Sequence, residues 1–529
     1  MRASLVRKLP GLQARCLRRP AIHIARRSLH QLSIAVTGKP SKGDVLDSLK
    51  RELELSSQDK SADKGVSAGH KDGHASQQNT AVILASPELA SWSDDHGFMS
   101  QLLAMLHRQR QRVGDTSAAE GESHIDVLFG VTDGIADPSR LHSKPYSGLS
   151  ILYGGTTSLL PSLWKRQDKR GVTSAIGDSD RASSILFTNV KGKDGLHAET
   201  QSDLSPEVTL PLANTIFQNG RRSTLFASRW SPNPSAVEGN EMELTRLEEK
   251  SQQEIVCLQG SRSAPPRIPL MPLAPPRKIV AGLGNIVRQV DIDGVVSPAS
   301  KELEILIPQI FEKRAAQAPT PIGVWAWVIP EHYMKAHDLA TSIKSYHGNQ
   351  GEEEWRLVAD ALQHYEQLLH HDSRLHKILS GGGGWGAKQG LLSLDPETTY
   401  AAPEQDDIDS FIRAFEMRHN SENQTSSSSD GIVAPGSYVL FCAEPQHMDK
   451  ALSGPTTGAA DSTFALAVAP TSEELLPQTL KGESKKGGAK VEVRPGHFGA
   501  ASSTGLYLSE PWLKFATKVD APYSVLSWR

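Results

Sequence analysis

Short apolar runs closed by turn formers recur along this chain, and they limit what it can fold into. "AVILAS", "IDVLFGV", "LSILYGG", "SILFTNV", "STLFASRW" and "EIVCLQG" are rich in Val, Ile, Leu and Phe, which suits buried strands. One helix-period segment, "HGFMSQLLAMLHRQRQRV", separates the first two runs. Further strands are expected at "IGVWAWVIP", "GSYVLFCAE" and "TFALAVAP", with "YSVLSWR" as a closing strand. Helices are expected at "PASKELEILIPQIFEKRAAQ", "EHYMKAHDLATSIKSY" and "EEEWRLVADALQHYEQLLHHDSRLHKIL". In the last of these, Trp355, Val358, Leu362, Tyr365 and Leu369 mark one face at helical spacing. Strands and helices mix without a regular βαβ rhythm. The expected fold class is therefore α/β, as two mixed α/β units with large mixed sheets, helices against one face, and long disordered insertions.

The 529 residues are long for one compact core, which is why two units are expected. No apolar run approaches the roughly 20 residues of a membrane helix, so no transmembrane segment is expected. A net charge of -3 gives no general argument for nucleic acid, and RNA binding would need a local basic face. Of the three cysteines, Cys16, Cys257 and Cys442, none forms a CxxC pair; the latter two read as buried thiols in a reducing compartment.

Residues 1–34 read as a mitochondrial presequence, with matrix localisation expected. Seven arginines precede Ser28, apolar residues are interspersed, and no acid occurs before Asp44. A basic arm for RNA or anionic lipid is the alternative. Residues 35–79 are expected to be a disordered linker, because "SSQDKSADKGVSAGHKDGHASQQN" cannot bury enough apolar surface to offset ordering. An N-terminal unit is placed at 80–260 and a C-terminal unit with a Gly-rich loop at 279–529. Between them, 261–278 reads as a Pro-rich connector or surface strap, with six prolines in "SRSAPPRIPLMPLAPPRK".

The candidate ligand-binding residues are Gly381, Gly382, Gly383, Gly384, Trp385 and Lys388, together with Arg288. "SGGGGWGAKQG" is not a phosphate loop, since Ala387 stands where the lysine belongs and Lys388 comes one residue late. One glycine would cap the preceding helical run. Four in succession make sense where a ligand or another backbone approaches closely, or where Trp385 plugs a cavity. "VAGLGNIVRQV" carries GxG at Gly282 and Gly284, but Val287 replaces the last glycine of a dinucleotide fingerprint; a tight turn fixed by Asn285 and Arg288 is expected. Asn219-Gly220 signals a hairpin with "NTIF" and "STLFAS" as arms, and Arg221 and Arg222 beside the turn. His364, His370, His371 and His376 read as solvated helix-face residues, there being no HExxH. No nucleophile elbow and no metal quartet is found, so no catalytic residue, metal or cofactor is assigned.

The succession of "AVILASPEL", a helix, "IDVLFGVTDGIADP" and "GLSILYGG" resembles the N-terminal half of FIST-domain proteins. These have a strand ending in an apolar-Ser-Pro turn, a helix, and a second strand leading into a glycine-containing turn. The resemblance covers roughly residues 80–230. It implies a sensory or ligand-binding module for small metabolites such as amino acids, without a catalytic set to carry over. The expected function is a mitochondrial ligand-binding protein whose partner is a small molecule or a mitochondrial protein. The alternative is a gene-expression or assembly factor working through RNA or protein contacts.

Overall fold

The computed structural model describes residues 30–62, 79–112, 124–136, 145–154, 159–165, 181–189, 207–233, 241–257, 266–314, 322–349, 351–381, 390–400, 432–446, 463–470, 490–510 and 515–528. Residues 1–29 of the expected presequence, most of the expected insertions, and residues 382–389 of the Gly-rich loop lie outside this set.

The chain begins with β1 (His30–Thr37) and α1 (Lys42–Ala62), then β2 (Thr80–Ala85), α2 (His96–Arg112), β3 (Ile125–Val131) and β4 (Gly148–Gly154). Next come β5 (Ser184–Asn189), β6 (Glu207–Pro211), α3 (Ile216–Asn219), β7 (Leu225–Pro232), β8 (Met242–Glu249) and β9 (Gln252–Cys257). All six expected strands of this half are present. The middle contains β10 (Met271–Pro272), β11 (Arg277–Leu283), β12 (Ile286–Ile292), β13 (Val295–Pro298), α4 (Lys301–Arg314) and β14 (Val324–Ile329). The helices α5 (Glu331–Ala336), α6 (Leu339–Ser342) and α7 (Glu354–His370) precede β15 (Arg374–Gly381) and β16 (Leu392–Leu394). The last strands are β17 (Tyr438–Ala443), β18 (Thr463–Val468), β19 (Lys490–Pro495), β20 (His497–Ser502), β21 (Leu506–Glu510), β22 (Phe515–Val519) and β23 (Val525–Trp528).

A seven-stranded mixed sheet runs β19-β1-β4-β2-β3-β7-β8, with β2 and β3 parallel. Its central strands β2, β3 and β4 are buried at every position because both faces are covered. They are apolar except at a few sites such as Thr80, Asp126 and Ser150. Ile83 and Phe129 point to α1 and α2, where Leu49, Leu102 and Leu103 meet them. Val82 and Leu128 point the other way, into a core shared with Ile185, Val208 and Leu210 of a five-stranded sheet, β22-β21-β6-β5-β9. A three-stranded sheet, β20-β18-β23, contributes Phe464, Leu466 and Phe498 to the same core.

The middle of the chain closes on itself. Strands β17-β11-β12-β16-β15-β14 pair in that order, and β14 pairs back to β17, giving a six-stranded antiparallel barrel. Ile279, Val287, Val290, Ala326, Leu392 and Phe441 fill one cluster contributed from around the ring, with Leu306 and Ile310 of α4 packed into it. On the alternate positions, Trp325, Trp327 and Leu440 join the larger core with Tyr365 and Leu368 of α7.

Three expected boundaries are corrected. The linker at 35–79 is ordered from 35 to 62. Ile34 is fully buried in the middle of β1, and Val45, Leu46 and Leu49 of α1 are buried against α2. Widely spaced apolar residues sufficed because α1 needs only one buried stripe. The boundary expected at residue 34 falls inside β1.

The Pro-rich connector is not a surface strap. Ile268 and Leu270 enter one core, and Met271, Leu273 and Ala274 enter the barrel core. Met271–Pro272 pairs with β17 at the barrel edge, Arg267 forms an antiparallel bridge with Val525, and Arg277 and Lys278 already belong to β11. Finally, β19 pairs β1 and β21 pairs β6, so a cut near residue 260 does not separate two bodies. The contiguous unit is the barrel. Both ends of the chain build the rest.

Candidate functional site

The Gly-rich loop does not cap a helix. Helix α7 stops at His370, Asp372 takes a left-handed turn (φ 57°), and the segment read as its last turns is strand β15. Pairing with β14 and β16 overrides the helical period there. His376 thus lies in a strand, buried, with Nδ1 2.8 Å from the carbonyl oxygen of Asp395. It is not a solvated helix residue.

Gly381 ends β15 opposite Leu392, while Gly382, Gly383, Gly384, Trp385 and Lys388 lie outside the described residues. Leu392 also faces Val287, so the adjacent Arg288 sits at the same end of the barrel as Gly381. Arg288 is exposed. As expected, Gly284 (φ 61°) makes a tight turn between β11 and β12, and the Asn285 amide fixes it by donating to the Leu394 carbonyl at 2.7 Å.

The hairpin expected at Asn219-Gly220 is instead the single helical turn α3, closed by Gly220 in the left-handed region (φ 76°). The Thr215 hydroxyl donates to the Arg221 carbonyl and the Asn219 amide to Thr224, which favours the turn over an extended arm. Arg221 reaches a carboxylate, Asp94 at 3.0 Å, and covers the Phe226 ring.

The richest polar surface lies on the five-stranded sheet. Alternation sends Ile185, Phe187, Val208, Ile255 and Leu508 to the core. Leu186, Thr188, Glu207, Glu254, Tyr507 and Lys518 therefore share the opposite face. At its β22 edge, Lys518 Nζ lies 3.1 Å from Asp395, 2.9 Å from Glu397 and 3.8 Å from Asp520. Tyr507 donates to Glu397 at 2.7 Å, and Trp325 Nε1 donates to Asp520 at 2.7 Å.

Burial alone would lower the Lys518 pKa, but Asp520, Glu397 and Asp395 outweigh it and raise it. Burial raises the Asp520 carboxyl, against the pull of Lys518 and Trp325. Burial pushes Tyr400 to about 12, and burial with the Glu397 hydrogen bond raises Tyr507. A lysine held as ammonium is no nucleophile, and phenols raised this way are no bases. The cluster fastens the barrel segment carrying Asp395 and Glu397 to the sheet.

At the other edge, beside β9, a cavity of about 260 Å³ is lined by Pro161, Ser162, Lys165, Leu186, Lys250 and the run Gln252–Glu254. Ser162 holds a left-handed backbone (φ 66°), uncommon for a non-glycine residue. Lys250 is buried and donates to Glu248 at 3.1 Å. Gln253 donates to the Pro161 carbonyl at 3.3 Å, and Glu254 accepts from Thr188 at 2.8 Å. The cavity thus combines two ammonium groups, one carboxylate and two amides over a partly apolar floor. Such a lining orients a small polar molecule. Among the described residues, no group of three or more His, Cys, Asp or Glu side chains is placed to hold a metal ion.

Comparison with known proteins finds no matching family model, no matching curated protein and no matching solved structure. The cavity residues were not singled out in the sequence, though a signal existed. Charged or amide residues at alternate positions of "QQEIVC" and "FATKVD" mark strands with one polar face.

Proposed function

We propose that this protein is a FIST-like ligand-binding protein whose ligand, a small polar metabolite, occupies the cavity beside β9. The observation that carries the reading is the lining itself, in which Lys165 and Lys250 can meet an acidic group while Glu254, Gln252 and Gln253 meet donors. A molecule bearing both kinds of group, such as an amino acid, fits that chemistry. The order β2, α2, β3, β4 supports the FIST-like reading, and the arginine-rich composition before β1 supports import into mitochondria.

The test is thermal unfolding against amino acids, nucleotides, acyl-CoAs and short RNA. A ligand at 100 times its dissociation constant stabilises by about 2.7 kcal/mol. That shift should disappear in Lys165→Ala and Glu254→Gln while both variants stay folded. A panel with no small-molecule shift sinks this reading. A second reading, docking of a mitochondrial protein, is supported by the exposed Leu283, Val295 and Val296 on the barrel.

A further inference from the structure

Two ammonium groups and one carboxylate line the cavity beside β9, and each is held differently. Lys250 is buried, and Glu248 accepts one of its three ammonium protons at 3.1 Å. The same Glu248 carboxylate accepts from Arg246, whose guanidinium covers the Trp164 ring at 4.2 Å. Trp164 precedes Lys165 in the segment that walls the cavity, so these contacts tie Lys250 to that wall. Lys165 is exposed, and its ammonium has no partner among the described residues.

Glu254 accepts from the Thr188 hydroxyl at 2.8 Å with one oxygen, which leaves the other for a ligand. Near it stands Glu207 of β6, whose pKa is raised by burial and then by the Glu254 charge. Ser184 takes the same face of β5 as Leu186 and pairs with Gln252, both of which line the cavity. Its hydroxyl is fully buried and has no hydrogen-bond partner among the described residues. Polar capacity is thus left unfilled beside the cavity floor.

We propose, resting on the reading of this cavity as the ligand site, that its ligand is an acidic amino acid. Such a molecule carries two carboxylates and one ammonium, and the lining carries the opposite set: Lys250 and Lys165 for the carboxylates, Glu254 for the ammonium. A volume of about 260 Å³ lies below the roughly 300–1,000 Å³ of sites for drug-sized molecules, so the ligand is short. Lys250, already fixed, receives one carboxylate with little loss of side-chain freedom. Lys165 closes on the other from the rim. A neutral amino acid leaves Lys165 without a counter-charge, and a dicarboxylate without nitrogen leaves Glu254 facing no donor.

The experiment is calorimetric titration of the full chain with L-glutamate and L-aspartate at low salt. L-glutamine, L-asparagine, glutarate and succinate are the controls that lack one charge. The acidic amino acid of the better length should bind once per chain, with its neutral and nitrogen-free counterparts each about tenfold weaker or more. Lys165→Glu, at an exposed position, should turn the preference to L-lysine, and Glu254→Gln should abolish the advantage over the nitrogen-free acid. Melting temperatures without ligand show that both variants remain folded. A neutral or nitrogen-free counterpart that binds equally well overturns this ligand class, as does glutamate or aspartate binding unchanged in Lys165→Glu; the cavity then remains a site for another small molecule. No heat from any of the six also overturns it, and only a wider metabolite panel without any shift removes the ligand-site reading as well.

Discussion

Ser33 in β1 and His497 in β20 share a hydrogen bond of 2.8 Å in the buried interior, although 464 positions separate them. The Ser33 hydroxyl also meets Ser150 at 2.7 Å and the His497 carbonyl at 3.1 Å, while Gly499 N–H donates to Ser150 at 3.1 Å. The two ends of the chain are thus joined by polar groups inside a buried layer. In the same layer β1 and β4 also run close together, because a Cβ on Gly148 would stand 1.9 Å from the Ile34 carbonyl oxygen.

Ser33→Ala should destabilise the protein by about 1–3 kcal/mol, the cost of leaving buried polar groups short of a partner. Urea unfolding gives the value from the shift in midpoint at unchanged slope. A change near zero would show that this polar link contributes nothing to holding the chain ends together.

Lys518→Met should cost more, about 3–5 kcal/mol, because it leaves Asp395, Glu397 and Asp520 around a site without its central cation. Replacing Asp520 by Asn at the same time should recover part of the loss, since Asp520 is the most buried of the three acids and burial raises its carboxyl pKa. A double-mutant cycle measures that coupling, and strict additivity would argue against it.

Stability should fall between about pH 7.5 and pH 5.5. His376, His364 and His371 all have folded-state pKa values held below 6.5, chiefly by burial. The unfolded chain therefore takes up protons first, and stability is lost as pH drops through 6.5 toward the folded values. His376 dominates, because its Nε2 is buried without a hydrogen-bond partner among the described residues. Asp520 acts oppositely: its raised pKa adds stability as pH falls through the folded value toward 3.8. Urea midpoints across this range test the sign. His376→Gln should flatten the slope, and a midpoint that rises on acidification contradicts the assignment.

The strands were legible because their signal is local. Six short apolar runs before residue 260 and four after it marked strands that the structure contains. In the central strands β2, β3 and β4 the largely apolar character follows from burial on both faces, and it is present in each segment by itself. The helix at Glu354 was legible for the same reason, from the face of Trp355, Val358, Leu362, Tyr365 and Leu369. Val358 and Tyr365 are fully buried, while Leu357, Ala361 and Leu368 complete the buried stripe.

What tertiary structure decided was everything that depends on a distant partner. Ile34 looked like part of a cleaved leader, because nothing nearby shows that β4 and β19 flank it. "SRLHKILS" continued a helical pattern until pairing with β14 and β16 made it a strand of a closed barrel. The cavity and the Lys518 cluster are assembled from segments as far as 195 residues apart. Each residue alone reads as a solvated charge. The sequence by itself determined periodicity and so the elements, while the chain's return across β1 and β6 determined which polar faces meet.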